Sequence, residues 1–212
     1  EYEKIPLNYK GEMFIEITTR SFDIEFIKGD RLNQMRLVYN NNNFIDDNEL
    51  EKLHKLKPII FNSKSTIIDN GLKLSVDLSN TNHICAYRAK EDAPTLNFSK
   101  VNFHDKKKYW DSLKSESNTL VIEKNKFYIL KSKEKIRIPA NMAGEMIPYD
   151  TGLGDFRVHY AGFFDPGFGD PNGSFAVLEV KTNEVPFLLE DNQTIARIKY
   201  EKLNKDNSVV YG

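Results

Sequence analysis

The chain holds a single cysteine, Cys85, among its 212 residues. An internal disulfide is therefore impossible, and so is a zinc or iron–sulfur site built on several thiolates. One thiol fits a reducing compartment, which points to the cytoplasm. Charge of one sign is lacking as well, since 30 Lys and Arg face 31 Asp and Glu. Nothing in that balance argues for a nucleic-acid surface or an electrostatic membrane anchor. No apolar run approaches the length of a membrane span. Residue 1 is Glu, and no basic stretch followed by an apolar one comes after it. The chain thus reads as a fragment or a processed product. The acidic residues Glu145, Asp150 and Asp155 do not have calcium-loop spacing. No glycine-rich loop ends in Lys-Ser or Lys-Thr. Lys106 to Lys108 read as a solvated helix face.

What is present is enough apolar surface for a packed core, with 40% hydrophobic and 12% aromatic residues. Period-two alternation predicts strands over 13–18, 21–27 and 32–39, with a turn at Lys28-Gly29-Asp30. Asp46 or Asp47 caps a short helix with Leu50, Leu53 and Leu56 on one side, and Pro58 ends it. Further strands are predicted over 71–78, 120–123, 126–130, 134–139, 174–181 and 194–201, with a short helical piece at 105–114 around Trp110. Many short strands joined by turns make an all-β barrel or jelly roll.

The two ends of the chain resemble each other without a gap. When Glu16 is laid on Glu179, Phe14-Ile15-Glu16-Ile17 falls on Val177-Leu178-Glu179-Val180. The turn at 28–30 then falls on Asp191-Asn192-Gln193, and Leu32 to Met35 falls on Ile195 to Ile198. Gly29 and Asn192 are the residue types that best tolerate a left-handed turn. If the chain is a duplication, the first copy is truncated at its front. Residues 1–40 are then the last strands of a first β unit, 41–62 a connector, and 63–212 a second unit.

The least generic stretch runs from Arg157 through His159-Tyr160-Ala161-Gly162-Phe163-Phe164-Asp165-Pro166-Gly167-Phe168 to Gly169, and leads into Phe175 to Val180. It resembles the nucleotide-binding hairpin of the dUTPase and dCTP-deaminase superfamily, in which an Asp-Pro-Gly-aromatic turn precedes a strand carrying Leu-Glu. Ser75-Val76-Asp77-Leu78 looks like that family's early strand, and Gly29 to Leu37 like its Gly-x-x-Leu-x-Gln strand. The order of these motifs is similar to that of the long, two-repeat bacterial dCTP deaminases. The fold this implies is a distorted β-barrel or jelly roll of the dUTPase type, in tandem.

The resemblance implies hydrolytic deamination of dCTP to dUTP and ammonia without zinc. A carboxylate then takes a proton from water, the hydroxide attacks C4 of the base, and the proton returns to the leaving ammonia. On the resemblance, Glu179 is that general base and acid, while Glu16 is its retired counterpart, because the segment before it lacks the Asp-Pro-Gly turn. His159, Tyr160, Ala161 and Gly162 line the base pocket, and Asp165 faces the sugar. The family's Arg- and Ser-bearing phosphate segment is replaced by Pro139 to Met146, which has neither residue. Gln34 and Arg36 of the first unit are the substitutes, serving a site whose base pocket comes from the second. The implied partners are dCTP with its Mg²⁺ and further copies of the chain in a homo-oligomer, a trimer, with no metal held by the protein alone. The family's closing tail is expected to be absent after Gly212. Two competing readings are a dUTP diphosphatase of the same fold, in which Asp165 activates water, and a non-catalytic nucleotide-binding domain.

Overall fold

The computed structural model describes residues 4–38, 43–62, 68–79, 83–148, 156–158, 162–182 and 185–204, with the backbone alone for 148 and 156–158. Within these, the strands are β1 (Ile24–Glu25), β2 (Leu72–Ser75), β3 (Ile84–Ala89), β4 (Leu96–Asn97), β5 (Trp110–Lys114), β6 (Thr119–Ile122), β7 (Phe127–Ile136), β8 (Met142–Pro148), β9 (Phe156–Val158), β10 (Phe163–Phe164), β11 (Ser174–Thr182), β12 (Phe187–Glu190) and β13 (Thr194–Lys202). One helix, α1 (Asp47–Leu56), stands beside them. The all-β expectation holds.

Two sheets share one core. The first has the order β10-β8-β13-β2 and the second β5-β3-β7-β11-β9, and every neighbouring pair in both is antiparallel. Alternation explains the filling. Leu72 and Leu74 from β2 and Ala196, Ile198 and Tyr200 from β13 meet Tyr128, Leu130 and Ile136 from β7 and Ala176, Leu178 and Val180 from β11, all buried. The Tyr200 hydroxyl has no water to reach, so it donates to the carbonyl of Arg137 at 3.0 Å.

The helix begins where expected, with Asp46 as N-cap accepting from the N–H of Glu49 at 2.8 Å. Leu50 is buried and Leu53 packs on the core, but Leu56, in the last turn, is 86% exposed. The helical reading of 105–114 is corrected: only Lys106–Lys108 form a 3₁₀ turn, and Trp110 opens strand β5. Pairing with β3 outweighs the local preference there. The strands predicted over 126–130 and 134–139 are largely one continuous ladder, β7.

The largest correction concerns residues 13–38. Only Ile24 and Glu25 form a strand, paired in parallel with Leu96 and Asn97 of β4. The segments 13–18 and 32–38 are exposed and form no ladder among the described residues. Alternation signals a surface suited to a sheet, but a strand exists only with a partner to take its N–H and C=O groups. The turn that joins them nevertheless has the same hydrogen bonds as the turn at 190–193. The N–H of Asp30 donates to the carbonyl of Ile27, and the N–H of Ile27 to the Asp30 carboxylate. The N–H of Gln193 donates to the carbonyl of Glu190, and the N–H of Glu190 to the Gln193 side chain. The third residue has positive φ in both, +103° at Gly29 and +67° at Asn192.

The amino-terminal segment is anchored by Phe22. Its ring meets Tyr109 and Trp110 edge-on at centroid distances of 5.2 and 5.0 Å. Together with Ala89 and Phe127 it forms a second, small core on the far face of the five-stranded sheet. Phe22→Ala is expected to cost about 2 kcal/mol, below the usual loss for a central Phe because the cluster is small. Trp110 is the only tryptophan, so its emission reports the change directly. A red shift with the fold retained is the expected result, and an unchanged spectrum would mean the segment is not held there.

Candidate functional site

Strand β11 buries Ala176, Leu178, Val180 and Thr182 and turns Val177, Glu179 and Lys181 the other way. Glu179 therefore points out of the main core, onto the face that also carries the Phe22 cluster. The register sets its neighbours: Glu179 lies opposite Ile129 of β7, which lies opposite Tyr87 of β3. On its other side, the ladder with β9 reaches Val180, paired with Val158.

The Glu179 side chain is half-buried, and that burial pushes its carboxyl above the ordinary carboxylate range. Ionised Glu179 thus opposes folding. The cost is absent below the ordinary Glu range, grows as pH rises through the raised value, and is complete above it. Glu179→Gln is expected to raise the melting temperature at neutral pH and to lose that advantage at about pH 3, below the ordinary Glu range. Thermal melts across pH test this, and a neutral-pH melting temperature below that of the parent chain would contradict it. Glu16 is exposed on the irregular amino-terminal segment.

The Asp-Pro-Gly turn lies at the end of β7. The N–H of Ile138 donates to the carbonyl of Phe168 at 2.9 Å, and the N–H of Gly167 to the carbonyl of Ile138 at 3.0 Å. Within the turn, the N–H of Phe168 donates to the carbonyl of Asp165 at 3.1 Å. Asp165 is half-buried. The carbonyl of Gly162 accepts from the N–H of Met146 at 2.8 Å, so part of its capacity is used within the fold. His159, Tyr160 and Ala161 lie outside the described residues.

Arg36 is brought to this hairpin. Its guanidinium lies 4.2 Å from the ring centroid of Phe163. Nη1 is 3.2 Å from Glu201 and Nη2 3.5 Å from Glu145. Glu145 lies on strand β8, where Met142, Ala143 and Met146 are buried. A cation from the amino-terminal segment thus meets strand β8 and the hairpin, with two carboxylates beside it. Gln34 is exposed and is not brought to the hairpin by any contact among the described residues.

The Ser-Val-Asp-Leu motif proves to be a structural fastening. Glu134 accepts from the N–H and hydroxyl of Ser75 at 2.9 and 2.6 Å. Asp77 pairs with Lys131 at 3.1 Å, and Asp191 accepts from the N–H of Leu78 at 2.8 Å. The burial of Arg137 beside the hairpin was not legible in the sequence, because an Arg between two Ile residues reads as the outward position of a strand. In the structure Ile136, Arg137 and Ile138 are buried in succession, which alternation does not anticipate. Among the described residues, no three His, Cys, Asp or Glu side chains converge on a metal position, and no helix is long and apolar enough to cross a membrane.

Comparison with known proteins gives a consistent picture. Residues 46–212 match the family model of the 2'-deoxycytidine 5'-triphosphate deaminase C-terminal domain, and residues 1–41 that of the N-terminal domain. No curated protein sequence matches the chain. Among solved structures, the crystal structure of 2'-deoxycytidine 5'-triphosphate deaminase from Agrobacterium tumefaciens is similar, with 36% identity and a TM-score of 0.72. The match covers 79% of this chain and 50% of that one, so the chain spans about half the length of that relative.

Proposed function

We propose, from the premise that this chain belongs to the 2'-deoxycytidine 5'-triphosphate deaminase family, that it converts dCTP to dUTP and ammonia by acid–base catalysis at Glu179. The observation that carries the reading is a half-buried carboxylate with a raised pKa on β11, the strand that leads directly out of the Asp-Pro-Gly turn. A general base works best when its pKa lies near the working pH, and burial moves Glu179 in that direction. Ionised Glu179 takes a proton from water, and the hydroxide adds to C4 of the cytosine. Glu179 passes that proton to N3, takes the proton of the new C4 hydroxyl and delivers it to the amino group, and ammonia departs as the C4 carbonyl forms.

Around that step, Asp165 accepts from the sugar, and His159, Tyr160, Ala161 and Gly162 border the base. Arg36 serves the phosphate side with Gln34, exchanging Glu145 and Glu201 for phosphate oxygens, which a guanidinium binds in the same forked geometry. Mg²⁺ travels on the triphosphate, since it prefers oxygen ligands and keeps several waters. The chain works as a homo-oligomer, a trimer, in the cytoplasm. Residues 1–40 are the end of a first dUTPase-like unit and 63–212 a second, with 41–62 between them; the matching turns at 27–30 and 190–193 support this.

Incubation with dCTP and, separately, with dUTP tests the reading. Ammonia from dCTP is the expected result. Pyrophosphate from dUTP without ammonia from dCTP would favour the diphosphatase, and neither product would favour a binding domain.

A further inference from the structure

Arg137 is the one charged side chain among the described residues that is buried, with its side chain 4% exposed. It directly follows the end of β7, and its backbone is used on both sides. Its N–H donates to the carbonyl of Ile59 at 2.9 Å, and its carbonyl accepts from Tyr200. Among the described residues the guanidinium has one charge partner, Asp170, with Nη1 3.6 Å from Oδ1, and it lies 5.5 Å from the Phe61 ring centroid. Nε and Nη2 are buried with no hydrogen-bond partner.

A buried cation with one loose ion pair and two unpaired donors is a poor way to stabilise a core, and an apolar side chain of similar volume does as well or better. What Arg137 supplies is a fixed charge under the turn. Asp170 closes that turn, its N–H donating to the carbonyl of Gly167 at 3.0 Å. Ile138, the next residue, donates its N–H to the carbonyl of Phe168 and accepts from the N–H of Gly167, which fastens both. Arg137 thus reaches the turn at two places, at Gly167 and Phe168 through the chain and at Asp170 through its side chain, and Asp165 opens the same turn, its carbonyl accepting from the N–H of Phe168.

We propose that Arg137 is a positioning residue that holds the Asp165 turn in its binding geometry through Asp170. This rests on the reading of Asp165 as a nucleotide contact. The test uses the full chain with Arg137→Met, Arg137→Lys and Asp170→Asn, and it compares melting temperature, amide exchange of residues 162–174, and steady-state turnover of dCTP.

Arg137→Met should melt at or above the parent temperature while the turn amides exchange about tenfold faster, a change of about 1.4 kcal/mol. KM for dCTP should rise by about tenfold, with kcat less affected, since Asp165 binds and does not attack. Arg137→Lys keeps the charge and should recover part of the loss. A purely structural role would instead lower the melting temperature and leave KM alone. Unchanged exchange and KM in a folded Arg137→Met would overturn the proposal. Should that variant fail to fold, Asp170→Asn decides the matter, since the Asp170 side chain is half exposed; unchanged exchange and KM there would also overturn it. If the parent chain does not turn over dCTP, the proposed activity fails, while the exchange rates still decide whether Arg137 holds the turn.

Discussion

Glu179→Gln should lower kcat for dCTP deamination by about 10² to 10⁴, the usual loss for a general base, while nucleotide binding persists. Gln has nearly the same shape and still forms hydrogen bonds, but it cannot take the proton of water. The loss should lie toward the upper end, because the same carboxyl also returns the proton to the leaving ammonia. Binding should survive for a physical reason: the substitution removes a carboxylate that burial already disfavours, so the pocket loses no favourable charge. In the parent chain, activity should fall toward acid pH as Glu179 becomes protonated. Because burial raises its pKa, the fall should begin above the range of an ordinary Glu. Glu16→Gln provides the internal comparison, since Glu16 is exposed and lies on no ladder among the described residues. The measurement is single-turnover ammonia release beside equilibrium binding of dCTP. A dead Glu16→Gln with an active Glu179→Gln would reverse the assignment of the working unit.

The parts of the fold that were legible in the sequence are those in which local chemistry and tertiary partners agree. The β11 and β13 strands alternate in sequence and also find partners on both sides. Residues 13–18 and 32–38 alternate equally well and form no strand, because a ladder needs a second chain segment that alternation cannot specify. Turn chemistry carried further than strand chemistry. Positive φ at Gly29 and Asn192 was read from residue type alone, and the hydrogen bonds around the two turns match. Around the candidate site, the strand that carries Glu179 and the turn at Asp165-Pro166-Gly167 were expected from the sequence, and both elements form. The approach of Arg36 to Phe163 at 4.2 Å was anticipated only as a cation donated by the first unit. Its two carboxylate neighbours, Glu145 and Glu201, come from distant strands and leave no local signal. Strand β3 was hidden for a similar reason, since Ile84 to Ala89 lies in a mixed polar stretch and is held by neighbours on both sides.

Gly169→Ala should be the most damaging small substitution in the hairpin, and it separates backbone strain from crowding. Gly169 has φ +72°, and an added Cβ would lie 2.2 Å from the carbonyl oxygen of Ile136 and 2.8 Å from the N–H nitrogen of Ser174. Both are backbone atoms in paired strands, so neither can swing aside as a side-chain tip would. Gly29 has φ +103° with nothing within 4 Å of its added Cβ, so Gly29→Ala meets the conformational penalty alone. That penalty is about 1 kcal/mol. Gly169→Ala adds displacement of the turn from the end of β7 and should cost roughly 3 kcal/mol or more. For a chain of this size the melting temperature should then fall by roughly 6 to 12 °C. The displacement also moves Asp165, which shares the turn, so dCTP affinity should fall in the fraction that remains folded, whereas Gly29→Ala should leave affinity near the parent value. Thermal melts beside binding titrations give both numbers from the same preparations. Equal losses of stability in the two variants would mean that the hairpin is not pressed against β7, and the geometry assigned to Asp165 would go with it.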